Sequence, residues 1–215
     1  SFHVGSQAPD ALKHVEAIEA CTRLLKAARR ERLGSLDTLD IGGGFPIDYA
    51  QRAPDIRRFC APIRAALAEL PRRVRVIAEP GRFIVGPAAI GVASVMGRAR
   101  REGHWWYYLD DGLYGSYSGQ LYDHAHYPVE SLRQEEPRLP AVLAGPTCDS
   151  IDVIAENLML PELKAGDLIV GRSMGAYTWA SASEFNFFPR AAVVSVNTCP
   201  GDTGGVLPVD GSTPA

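Results

Sequence analysis

Long apolar runs are missing from these 215 residues. No stretch of about 18 apolar residues reaches membrane-spanning length, and no charged segment followed by an apolar one marks a secretory leader. A cytoplasmic protein is the expectation. A basic excess is missing as well: 22 lysines and arginines against 25 acids leave a formal net charge of −3, which offers no field to nucleic acid. Cys21, Cys60, Cys148 and Cys199 show no C-x-x-C spacing, which argues against a zinc knuckle or a disulfide framework and for reduced thiols. Lysine is scarce, with only Lys13, Lys26 and Lys164. What remains, 46% hydrophobic and 22% charged, is the composition of a globular protein with one or two cores.

Periodicity divides the chain. SFHV reads as the end of a strand. Over 10–33, Leu12, Val15, Ile18, Leu25 and Ala28 fall on one helical face that ends at Gly34, a C-cap residue. LDTLDI then reads as a strand running into Gly42, Gly43 and Gly44. A helix carrying Ile63, Leu67 and Leu70 follows, with Pro62 placed in its first turn, where a missing amide is harmless. VRVIA, at 74–78, is the next strand and ends in EPGR. Strand, helix, strand, helix, strand, with a polar or glycine-rich motif after each strand, is the order of a parallel (β/α) barrel. From about Gly86 onward, strand-like runs separated by Gly, Pro and Asp turns predict a mostly antiparallel β-barrel or sandwich. The expected division is 1–85 as the C-terminal part of a (β/α)8 barrel, 86–198 as a β-domain and 199–215 as a Gly/Pro-rich flexible tail.

Several residue types in this pattern carry chemistry. A triple glycine after a strand lets backbone amides close on a phosphate, although a plain strand-to-helix turn reads equally well. Arg82, at the end of the neighbouring strand, brings a guanidinium within the same reach, and Ser6 a hydroxyl. Glu79 and His3 end strands, where a solvated carboxylate and a satisfied core imidazole are the bland readings. Cys148, beside a Gly-Pro turn and an acid, has a reactive reading that an ordinary buried cysteine lacks.

The strings SFHVGS, DIGGGFP, EPGR, LYDHAH, GPTCDSID and MGAYT occur in this order and cover nearly the whole chain up to Asn197. Together they resemble the fold-type III pyridoxal-phosphate decarboxylases of the ornithine/lysine decarboxylase branch. That resemblance implies pyridoxal 5′-phosphate held at its phosphate by Gly42, Gly43, Gly44, Ser6, Arg82 and Tyr177. It stacks His3 on the cofactor ring and faces Glu79 to the pyridine nitrogen. It makes Cys148 the proton donor to the α-carbon, and places Asp123, with Tyr122 beside it, and Asp149 around the distal ammonium of a diamino acid. The products would be putrescine or cadaverine and CO₂, in polyamine biosynthesis. The family forms head-to-tail homodimers, so Cys148 and Asp149 would serve the partner's cofactor and Asp123 its own.

The same family needs a Schiff-base lysine, and none is in place here. Lys13 and Lys26 fall on the exposed part of a helix and Lys164 in a turn, so none follows a barrel strand. The resemblance is therefore to the C-terminal portion of such an enzyme, and an N-terminal portion supplying the lysine, as a separate chain or a cleaved one, is the expected partner. Alanine-racemase relatives share barrel and cofactor but not CDS or YDHAH. Diaminopimelate decarboxylases usually have glutamate where Asp149 stands. A catalytically inactive regulator, like the family's antizyme inhibitors, is the non-enzymatic alternative.

Overall fold

The computed structural model describes residues 1–34, 36–196 and 206–207, and the chain forms two compact units, Ser1–Ala89 and Ile90–Ala215. In the leading unit, helix α1 (Leu12–Arg30) precedes strand β1 (Thr38–Asp40), helix α2 (Ile56–Leu67), strand β2 (Arg75–Ile77) and the short helix α3 (Gly81–Val85). Strands β1 and β2 pair in parallel, with Leu39 opposite Val76. Parallel neighbours cannot be joined by a tight turn, and α2 supplies the crossover. Ile18, Leu39, Ile41, Phe59 and Ile63 meet in the core between helices and strands.

Three local expectations change. SFHV is not a strand: the Phe2 amide bonds to the Asp40 carbonyl at 3.2 Å, but Gly5, at φ +97°, turns the chain before a ladder can form. Helix α1 ends at Glu31 rather than Gly34, and it buries His14, Ile18 and Thr22, while Leu12 is 60% exposed. The fully buried stripe runs along Ala11, His14, Ile18 and Thr22 and shares only Ile18 with the aliphatic stripe read from the sequence. Pro62 lies inside α2 and not in its first turn, because Asp55 caps the helix early by accepting the Arg58 amide at 3.0 Å. Burial of Phe59 and Ile63 on one face offsets the helical bond that Pro62 gives up.

The second unit is a six-stranded sheet in the order β5-β8-β3-β4-β6-β7. Its strands are β3 (Gly91–Arg101), β4 (His104–Leu109), β5 (Val129–Ser131), β6 (Leu139–Ala144), β7 (Val153–Leu160) and β8 (Leu168–Gly171). The sheet is mixed: β4 and β6 run parallel, because the connection between them carries helix α4 (Gly119–Asp123) and β5 across the sheet, and the other pairings are antiparallel. Edge strands β5 and β7 approach each other, which nearly closes the barrel. Val95, Tyr107, Leu109, Leu143 and Ile169 fill its interior. Strand β9 (Val193–Val194) pairs antiparallel with β10 (Val206–Leu207), which falls in the stretch expected as a tail. The rest of that stretch, with Cys199, lies outside the described residues. Among the described residues no helix is long and apolar enough to cross a membrane.

Tyr107 fastens the connection after β7: its buried hydroxyl accepts the Leu163 amide at 3.0 Å. Tyr107→Phe leaves that amide without its acceptor and is expected to lower unfolding stability by about 1–3 kcal/mol in urea titrations at unchanged m-value.

Candidate active site

The residues singled out in the sequence fall in both units. His3, Ser6, the triple glycine, Glu79 and Arg82 belong to the first; Tyr122, Asp123, Cys148, Asp149 and Tyr177 belong to the second.

In the first unit the triple glycine is the point of convergence. A Cβ on Gly42 would stand 2.2 Å from the Phe2 carbonyl oxygen, on Gly43 2.7 Å from that of Glu79, and on Gly44 2.5 Å from that of Gly5. Gly42 and Gly44 also adopt φ of +65° and +91°, which side chains resist. All three carbonyls are taken up within the protein: Gly42 accepts the Glu79 amide, Gly43 the His14 Nε2 and Gly44 the Ala8 amide. A loop whose carbonyls are turned into the fold in this way suits an anion better than a cation. Cε1 of His3 is 3.6 Å from the Cβ position of Gly43, so the structure brings His3 and the backbone of Glu79 to one glycine. Ser6 is exposed and follows Gly5. Arg82 is buried and donates from Nη1 to the Tyr49 hydroxyl at 2.5 Å. A phosphate-bearing ring cofactor fits this donor set: a glycine cradle with no room for side chains, an imidazole beside it, and a carboxylate on the adjoining strand end.

In the second unit a buried acid organises the loop. Asp152 accepts the Leu113 amide at 2.7 Å, the Thr147 amide at 3.1 Å and the Thr147 hydroxyl at 2.7 Å. Gly112 and Gly145 lie against its carboxylate, where a Cβ would approach within 2.3 and 2.2 Å. This ties the loop bearing Cys148 and Asp149 to the turn bearing Tyr114. The Tyr114 hydroxyl then donates to Asp149 Oδ2 at 2.5 Å, and the ring stacks on Phe185 with centroids 4.2 Å apart. That hydrogen bond, aided by the Ile151 amide, holds the Asp149 carboxyl below the usual carboxylate range and pushes the Tyr114 phenol up to about 12. Cys148 is exposed, and Asn186 donates from Nδ2 to its sulfur at 3.4 Å.

Tyr177, at φ +54°, is fixed by backbone: its carbonyl packs on Gly119 at the start of α4, and Ser118 donates to the next carbonyl, Thr178, at 2.9 Å. Tyr122 and Asp123 sit at the other end of that short helix, with Tyr122 71% exposed. Sequence reasoning missed His14, Tyr114 and Asp152. Asp152 lies inside the GPTCDSID string, whereas Tyr114 had no local signal.

The family model for the C-terminal sheet domain of pyridoxal-dependent decarboxylases matches residues 25–175. The chain belongs to this family. A lysine/ornithine decarboxylase from Vibrio vulnificus, solved in complex with cadaverine, superposes with a TM-score of 0.89 at 56% identity, covering 92% of this chain and 54% of that one. The lysine/ornithine decarboxylase of Selenomonas ruminantium is 40% identical over 195 residues, which are 90% of this chain and 49% of the relative. Antizyme inhibitor 2 of Xenopus laevis is 36% identical over 211 residues, or 90% of this chain and 46% of that protein. The chain thus spans about half the length of the relatives it matches. Pyridoxal phosphate is the cofactor of the family, and its decarboxylases are lyases.

In this chain the Tyr114–Asp149 bond holds the carboxyl below its ordinary range. Tyr114→Phe is expected to move the Asp149 titration upward, toward the ordinary carboxylate value, in a ¹³C-detected pH titration; an unmoved midpoint would show that the phenol does not hold the carboxylate.

Proposed function

We propose that residues 1–85 supply the cofactor-holding end of a pyridoxal-phosphate decarboxylase barrel, and that the β-domain supplies the acid and thiol that act on L-ornithine or L-lysine, releasing CO₂ and putrescine or cadaverine. The observation that carries this reading is the Asp149 carboxylate, on the same loop as Cys148 and fixed by the hydrogen bond from the Tyr114 hydroxyl. A fixed anion beside a thiol matches a substrate that ends in an ammonium group and needs one proton returned to carbon.

Gly42, Gly43, Gly44, Ser6, Arg82 and Tyr177 would hold the phosphate, His3 would lie against the ring, and Glu79 would keep the ring nitrogen protonated. The chemistry the cofactor supplies is a sink for the electron pair left at the α-carbon when CO₂ departs. Cys148 then gives its thiol proton to that carbon and recovers one from solvent. Asp149 and Asp123, flanked by Tyr122, bind the distal ammonium and thereby orient the carboxylate for loss. Asn186 donates to the Cys148 sulfur and orients it.

Two partners complete the reading. A second copy in a head-to-tail homodimer places Cys148 and Asp149 at the other copy's cofactor. A further segment carrying the cofactor-anchoring lysine extends the parallel sheet at β2, whose Val76 and Ile77 are 40% and 39% exposed. All three lysines of this chain are themselves exposed.

The test is CO₂ release from carboxyl-labelled ornithine and lysine by the chain assembled with its lysine-bearing segment, with pyridoxal phosphate added and the amine product identified. Diamine formation is expected. No release from either substrate would contradict the enzymatic reading and favour a regulatory binder. Asp149→Asn should raise KM by about tenfold or more, the worth of one charged hydrogen bond, while Cys148→Ala should lower kcat with KM little changed.

A further inference from the structure

A polar ring occupies a place where the core would accept a phenylalanine. His14 has no exposed surface, and its ring sits among Phe2, Phe45 and Phe59 at centroid distances of 6.4, 5.3 and 5.7 Å. A buried imidazole in such a box is costly unless it makes a hydrogen bond that something else needs. Its Nε2 lies 3.0 Å from the Gly43 carbonyl oxygen. A carbonyl only accepts, so Nε2 carries the proton. In the neutral ring Nδ1 is then a bare acceptor, and it is buried with no hydrogen-bond partner. A second proton would have no acceptor there, and burial together with nearby His3 pulls the imidazole below its ordinary value, so the ring stays a neutral donor.

What that donor fixes is a peptide orientation. The Gly43 carbonyl and the Gly44 amide belong to one planar trans peptide, in which C=O and N–H point in opposite directions. Holding the carbonyl on α1 turns the Gly44 N–H away from α1. The glycine is also blocked on its Cβ side, where the Glu79 carbonyl oxygen stands at 2.7 Å and His3 Cε1 at 3.6 Å.

We propose that His14 is a positioning residue for the cofactor phosphate: by bonding the Gly43 carbonyl it presets the Gly44 amide as an anion donor. This rests on the reading of the triple glycine as the phosphate site. His14→Phe keeps the aromatic box and removes the donor; His14→Gln restores an N–H at the position of Nε2.

The experiment measures dissociation constants for pyridoxal phosphate and for pyridoxal, which lacks the phosphate, in the protein as isolated and in both variants, with thermal unfolding as the check on folding. His14→Phe should weaken pyridoxal phosphate by about tenfold or more while leaving pyridoxal unchanged, and His14→Gln should recover most of the loss. A merely structural role would weaken both ligands alike and gain nothing specific from glutamine. Full phosphate dependence in a folded His14→Phe protein would overturn the inference alone. Equal binding of the two ligands by the unmodified protein would overturn the phosphate reading and the inference with it.

Discussion

Three backbone segments touch at a point where no side chain fits. The carbonyl oxygens of Phe2, Gly5 and Glu79 press on the α-carbons of Gly42, Gly44 and Gly43 so closely that any Cβ would overlap them. Everything chemical in the leading unit follows from that contact. It carries His3 to the glycine loop from one side and the strand end bearing Glu79 from the other, and its consumption of loop carbonyls leaves an anion-binding character. Sheet pairing alone would not do this, since β1 and β2 share only three register positions.

The second unit solves the corresponding problem with a buried acid side chain. Asp152 gathers two amides and a hydroxyl, and Gly112 and Gly145 leave it the space to do so. An acid side chain 2% exposed is tolerable only because three donors replace its water. The bonds it makes bring Tyr114 to Asp149 across 35 residues of sequence. One acid is thus structural and its neighbour three residues earlier is available to a ligand. The parallel register of β4 with β6 sets the two loops side by side at the same end of the sheet.

Motifs that are contiguous in the sequence were legible, and contacts between them were not. GGG, EPGR and CDS each allow a bland reading when taken singly, and it is their order along the chain that points to the family. The strand–helix–strand core could be read from apolar spacing, but SFHV could not be distinguished from a strand, because the turn at Gly5 comes from its positive φ and not from composition. His14 escaped because aliphatic Val15 beside it matched the helical period, whereas the fold rotates α1 to bury the imidazole. Tyr114 escaped because its partner is fixed by strand register, which no local pattern encodes. Pro62 was misplaced because Asp55 starts α2 earlier than the apolar spacing implied.

The proposed function draws the cofactor-holding groups from one copy of the chain and the thiol from a second. The most direct measurement is complementation between two variants that are inactive alone. Glu79→Ala removes the acid proposed to face the ring nitrogen; Cys148→Ala removes the proposed proton donor. Mixed in equal amounts and allowed to exchange subunits, they should release CO₂ at about a quarter of the unmodified rate, since half the dimers are hybrids and each hybrid has one intact site. A mixture as inactive as its parents, with subunit exchange verified, would contradict the shared site.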